Sequence, residues 1–138
     1  GYAIGTGRWR ALPFSVNVLT HSRERYRRNL RFYADEPALR LGGPTNHWVR
    51  EGILAGEQVL AGATAITTPI FILQAEEERV VDNRAHDQFC EIRAAAGHPC
   101  EGETPYVING AYHEILFEKD DMRTEALNAV IAFFDRHN

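Results

Sequence analysis

Serine, methionine and cysteine are all scarce in this sequence, and each shortage excludes something. The only serines are Ser15 and Ser22, neither in a strand-to-helix turn, and no Gly-x-Ser-x-Gly pattern occurs. A nucleophile elbow is therefore absent from these residues. The single methionine is Met122, so the chain is expected to be a processed product or a piece of something longer. Two cysteines, Cys90 and Cys100, are too few for a disulfide framework and suit a reducing compartment as readily as an oxidising one. The expectation is free thiols. No uninterrupted apolar stretch approaches the ~20 residues that a membrane-spanning helix needs, and no signal-peptide pattern opens the chain. Internal repeats and low-complexity segments are also missing.

What is present is the composition of a globular domain: 138 residues, 44% hydrophobic and 25% charged. The net charge of -4 hides a division. Residues 1–50 hold nine arginines against Glu24, Asp35 and Glu36, a balance of +6, whereas residues 51–138 hold six basic and sixteen acidic residues, a balance of -10. The two parts are expected to meet different partners, or to neutralise each other. An acidic body argues against a nucleic-acid domain, while a basic patch beside it fits anionic lipid headgroups or a docking surface.

Residues 1–20 mix glycine and proline with Trp9, Leu12 and Phe14 and show no sustained period, which predicts an irregular lead-in whose aromatics are anchored elsewhere. Beyond Ser22, a favourable N-cap, Tyr26, Leu30 and Tyr33 recur at helical spacing, predicting a helix over about 23–34. Arg23, Arg25, Arg27, Arg28 and Arg31 surround that narrow stripe, so most of the helix surface is cationic. Gly42-Gly43-Pro44-Thr45 is turn chemistry ahead of a second helix that runs to about residue 61, weakened by Gly52 and Gly56. From Pro69 the pattern changes, and Ile70-Phe71-Ile72-Leu73 reads as a buried parallel strand. Asn83 can cap a helix carrying Ala85, Phe89, Ile92 and Ala96, which Gly97 and Pro99 stop. Tyr106-Val107-Ile108 makes a second strand, and Leu127, Val130, Ile131 and Phe134 stripe a terminal helix. The order β-α-β-α predicts parallel strands. Since two such strands do not make a stable sheet, the remainder of the sheet is expected from polypeptide outside these residues.

Chemistry gathers at the two strand ends. Asn109-Gly110-Ala111-Tyr112-His113-Glu114 puts a histidine on the loop after the second strand, and Glu76-Glu77-Glu78 with Asp82 puts carboxylates after the first. Strand ends are where open α/β sheets place reacting groups. A base at His113 needs an acid to hold its tautomer, and Glu78 or Asp82 can supply it. Acid followed by histidine is the chain order that α/β-hydrolases use after their nucleophile. His86, Cys90, His98 and Cys100 would supply two nitrogens and two sulfurs to a zinc ion, but their spacing is not a standard ligand pattern, and no metal is expected. His21, His47 and His137 are expected to be surface or packing residues.

The segment Leu73-Gln74-Ala75-Glu76-Glu77-Glu78-Arg79-Val80-Val81 resembles the strand and acid loop of monoacylglycerol-lipase-like serine hydrolases, and Gly110-Ala111-Tyr112-His113-Glu114 resembles their histidine loop. With Arg23, Tyr26 and Asn29, and Leu41-Gly42-Gly43-Pro44-Thr45 ahead of Trp48, typical of the family's cap, the likeness covers nearly the whole chain. It extends to bacterial inner-membrane lysophospholipase members of that family. The resemblance implies the carboxyl-terminal part of an α/β-hydrolase fold, with a helical cap or lid segment over 1–67 and the last two strand-helix units of the core over 68–138. It further implies a Ser-His-acid esterase whose serine lies in a missing amino-terminal half, with His113 as the triad histidine and Glu78 in the acid's place. Most members have Asp there, and Gly where Ala75 stands, so Asp82 keeps a claim on the role. The implied substrate is a lysophospholipid or monoacylglycerol, with no cofactor. The implied location is cytoplasmic, peripherally on the inner membrane, with Arg23, Arg27, Arg28 and Arg31 facing anionic lipid. The alternative is a non-catalytic membrane- or partner-binding module with a basic surface.

Overall fold

In the computed structural model, which describes residues 1–138, the first helix, α1, spans Arg23–Asp35. Its buried residue is Tyr26, whose hydroxyl donates to the Leu12 carbonyl at 2.9 Å. The aromatics of the lead-in anchor on this helix: Phe14 packs edge-on against Tyr26 and Trp9 lies 5.5 Å from Tyr33. Two guanidiniums cover these rings, Arg23 over Phe14 and Arg40 over Trp9. Helix α2 spans Asn46–Gly62, and the Thr45 hydroxyl at its start accepts the Trp48 N–H at 3.1 Å. It carries no buried residue, and Trp48 and Ile53 are exposed. No helix is long and apolar enough to cross a membrane.

Two strands, β1 (Leu73–Ala75) and β2 (Tyr106–Ile108), pair in parallel with Gln74 opposite Val107. The first strand begins later than its apolar run predicts. Ile70 and Ile72 still offer carbonyls to the N–H groups of Glu101 and Tyr106, at 2.7 and 2.8 Å, but regular pairing waits for β2, which is only three residues long. Period-two alternation sends Ile70 and Ile72 to one face and Leu73 and Ala75 to the other. The first face packs with Ala63, Phe89, Cys90 and Cys100, and the second with Ile108, Ala111 and Ala126.

Helix α3, Asn83–Ala95, supplies the first face. Asp82, rather than Asn83, caps it, accepting the Arg84 N–H at 3.0 Å, while Asn83 donates its amide to the Ala75 carbonyl. At its far end Gly97, at φ +83°, lets the Gly97 and His98 N–H groups turn back to the carbonyls of Ala94 and Arg93. Arg93 is buried, its guanidinium donating to the carbonyls of Ile66 and Thr68. Cys90 and Cys100 are joined in a disulfide. The expectation of free thiols is thereby overturned, and no zinc set remains. The turn after α3 doubles the chain back until the two Cα atoms stand 5.4 Å apart, within bridging range.

Helix α4, Asp120–Arg136, covers the second face through Ala126, which is fully buried. Its larger apolar residues Ile131 and Phe134 are exposed, against the stripe its sequence suggests. By contacts the chain forms two compact units, Gly1–Asn17 with Arg23–Val59, and Val18–Ser22 with Leu60–Asn138. Both strands, both sheet-covering helices and all groups of the site described next lie in the second unit.

Candidate catalytic site

Both strands deliver their following loops to one end of the sheet, and backbone bonds lock the loops together. The Glu76 N–H donates to the Ile108 carbonyl at 3.2 Å and the Glu77 N–H to the Ala111 carbonyl at 2.9 Å. In return the Gly110 N–H donates to the Glu76 carboxylate at 2.6 Å. Gly110 sits at φ +69°, which lets the chain reverse tightly after β2 and sends residues 111–113 back toward the acid loop.

Within this frame the His113 Nδ1 and the Glu78 carboxylate are 2.7 Å apart, although 35 residues separate them in sequence. The Glu78 side chain is 5% exposed and that of His113 28%. The other carboxylate oxygen of Glu78 accepts the N–H groups of Val80 at 2.6 Å and Val81 at 3.2 Å. Burial alone would push the Glu78 carboxyl up. The bond from His113 and the two backbone N–H groups more than offset that, and its pKa falls below the ordinary carboxylate value. An ionised Glu78 holds a proton on Nδ1 and leaves Nε2 of a neutral His113 as a lone-pair acceptor. That is the state a general base requires.

Asp82 is not brought to His113. Its carboxylate caps α3 and grips the Arg84 guanidinium at 2.7–3.1 Å. Its pKa is lowered chiefly by the side-chain bond to Arg84. Of the two acids open in the sequence, only Glu78 contacts the histidine.

A second histidine–carboxylate pair lies close by, which the sequence did not disclose. Glu118 is fully buried and accepts from the His21 ring at 2.8 Å, the backbone N–H groups of His21 and Tyr112, both at 2.9 Å, and that of Lys119 at 3.1 Å. Burial raises its pKa, and these bonds together bring it below the ordinary value. The His21 ring stacks on Tyr112 with centroids 3.8 Å apart, so His21 is more than the surface or packing residue its sequence context suggests. The one available signal was an acid directly following the apolar turn Ile115–Phe117.

The two loops thus bring one strand-end acid and one histidine together, and the chain's likeness to known proteins shows the family in which they stand. The model of one family, described as serine aminopeptidase, S33, matches residues 4–120. The chain belongs to the serine aminopeptidase S33 family. That membership makes the β1-α3-β2-α4 unit part of an α/β-hydrolase fold. Among relatives, the chain is similar to Lysophospholipase L2 of Escherichia coli strain K12, at 76% identity over all 138 residues. It is also similar to Probable lysophospholipase L2 of Haemophilus influenzae, at 35% identity over 134 residues, or 97% of the chain. The chain spans 41% of the length of each of these relatives. No solved structure matches.

Proposed function

We propose that the whole protein hydrolyses the carboxylic ester of a single-acyl lipid, a lysophospholipid in the first place, and that His113 and Glu78 are its base and orienting acid. The 2.7 Å contact between His113 Nδ1 and a buried, ionised Glu78 carries the reading. The 76% identity to Lysophospholipase L2 supports the substrate class. In this reading residues 1–67 are the cap segment and 68–138 the last two strand-helix units of the core. A serine elsewhere in the protein attacks the acyl carbonyl and gives its proton to His113 Nε2. The imidazolium, stabilised by Glu78, passes that proton to the departing glycerol oxygen. Water then enters by the same route in reverse, releasing the fatty acid and restoring the serine. No metal or organic cofactor is called on. The test is hydrolysis of a lysophospholipid and of a monoacylglycerol by the full-length protein. His113→Gln is expected to lose activity by on the order of 10⁴-fold, and Glu78→Gln by a comparable factor, with folding retained. Wild-type rates in His113→Gln would refute the assignment.

We further propose that α1 meets an anionic membrane, the protein being cytoplasmic and peripheral to the inner membrane. What supports this is the exposure of Arg23, Arg27, Arg28 and Arg31 around a stripe used for packing Tyr26. Each basic group at an anionic surface contributes about 1 kcal/mol, so four suffice for reversible adsorption. Co-sedimentation of the full-length protein with anionic and with zwitterionic vesicles, at low and high salt, checks it. Replacing the four arginines by Gln is expected to abolish the salt-sensitive anionic preference. Equal binding by variant and wild type would return the arginines to a structural role.

A further inference from the structure

We propose that Glu118, partnered by His21, is a positioning residue for His113, fixing the loop that presents the imidazole. The inference rests on the reading of His113 as the base. Glu118 is buried to 0% exposure yet accepts N–H groups both from His21, 97 residues away in sequence, and from its own stretch of chain, where one donor is the backbone N–H of Tyr112, the residue directly before His113. A carboxylate buried with this many donors is a costly feature, and a hydrophobic residue of similar volume would serve packing alone at least as well. What the carboxylate adds is direction: its two oxygens set where Tyr112 N–H and the His21 backbone must stand. The Tyr112 ring is held as well, stacked on His21 at 3.8 Å and approached by the Arg79 guanidinium at 5.4 Å, Arg79 being the neighbour of Glu78. Backbone and ring of Tyr112 are therefore both immobilised immediately before the histidine. Glu78 sets the rotation of the imidazole, and Glu118 sets the position of the backbone that carries it.

The chemistry predicts how the link breaks. One Glu118 oxygen accepts from Tyr112 N–H and the His21 ring, and the other from the N–H groups of His21 and Lys119. With Gln at 118 the NH₂ end must face one of these pairs. It goes to the first, where the imidazole can change tautomer and accept, so the bond lost is the one to Tyr112 N–H. A displacement of about 1 Å at a reacting group costs about 100-fold in rate.

The experiment uses the full-length protein with a short-chain chromogenic ester, each preparation titrated for active sites with a fluorophosphonate and checked by circular dichroism. Glu118→Gln is expected to lower kcat per titrated site by about 10- to 100-fold with KM within about twofold of wild type. Glu118→Asp, which keeps the charge one methylene shorter, is expected to recover part of that loss. His21→Phe, which keeps the stack on Tyr112 but removes the ring donor, is expected to show a smaller drop of the same kind. A lower active fraction with unchanged kcat per site would assign Glu118 to folding alone and overturn the proposal. If Glu118→Gln does not fold, the same split measured on Glu118→Asp and His21→Phe decides. His113→Gln run in parallel separates the two readings. Activity retained there overturns the base assignment and this inference with it, whereas an inactive His113→Gln beside a wild-type kcat in Glu118→Gln overturns this inference alone.

Discussion

Glu78 ties its contact with His113 to the acid stability of the fold. Its extra methylene relative to Asp lets one oxygen reach His113 while the other stays bonded to the N–H groups of Val80 and Val81. Because its folded pKa is depressed, the unfolded chain binds protons more readily than the folded one as the pH falls. The stabilisation from this group is therefore complete above the ordinary carboxylate pKa of about 4.3 and is lost as the pH drops through the lower folded value. Urea unfolding of the full-length protein at pH 7 and at successively lower pH should show Glu78→Gln losing less stability over that window than wild type. Parallel curves would mean that the His113 bond does not hold the carboxylate ionised. The pair was legible in the sequence because each residue follows a short apolar strand, the one context in which distant residues can be placed together by pattern alone. His21 and Glu118 were not legible, since neither lies at a strand end and their meeting depends on how residues 18–22 pass the β2-α4 connection.

At the scale of elements, the helices formed where the sequence places them and the first strand began late, while α4 buries Ala126 rather than the larger residues of its apolar stripe. Helix α1 ends at Asp35, one residue from expectation, and α3 ends at Ala95, just before Gly97, whose φ of +83° turns the chain away. The apolar run Ile70–Leu73 signals burial, but a strand also needs a partner, and β2 offers one only opposite residues 73–75. The Cys90–Cys100 disulfide ties the last turns of α3 to the loop leading into β2, across a sequence separation of 10. Closing a loop of that size stabilises by about 3 kcal/mol in the chain-entropy model. Thermal unfolding of the full-length protein with and without a phosphine reductant should show a lower midpoint when reduced, and Cys90→Ala/Cys100→Ala should match the reduced form. Equal midpoints would show that the bridge adds nothing to the packing of Phe89 and Ala63 around it.

For the whole molecule, the two-stranded sheet sets the behaviour of these 138 residues taken alone. Each strand has one unpaired edge, and isolated pairs of strands are marginal in water. Expressed by itself, the stretch should self-associate in sedimentation velocity and should not react with a fluorophosphonate, since these residues hold no serine elbow. Stoichiometric labelling would reveal a nucleophile among residues not assigned to the site. A dilute, stable monomer would show that the edges are satisfied without further strands.

The sequence by itself determined the β-α-β-α order, the loops that carry Glu78 and His113, and the cationic surface of α1, because each is written in local periodicity or in short motifs. Tertiary structure alone decided that Glu78 rather than Asp82 meets His113, since both acids follow the same strand and only the cap of α3 claims Asp82. It also decided that Cys90 and Cys100 are bridged and that Glu118 gathers His21 and Tyr112. For the bridge the reason is the turn after α3, which brings the two cysteines together; for Glu78 and Glu118 a side chain's partner is set by where the backbone of a distant segment comes to rest, which no spacing along the chain records.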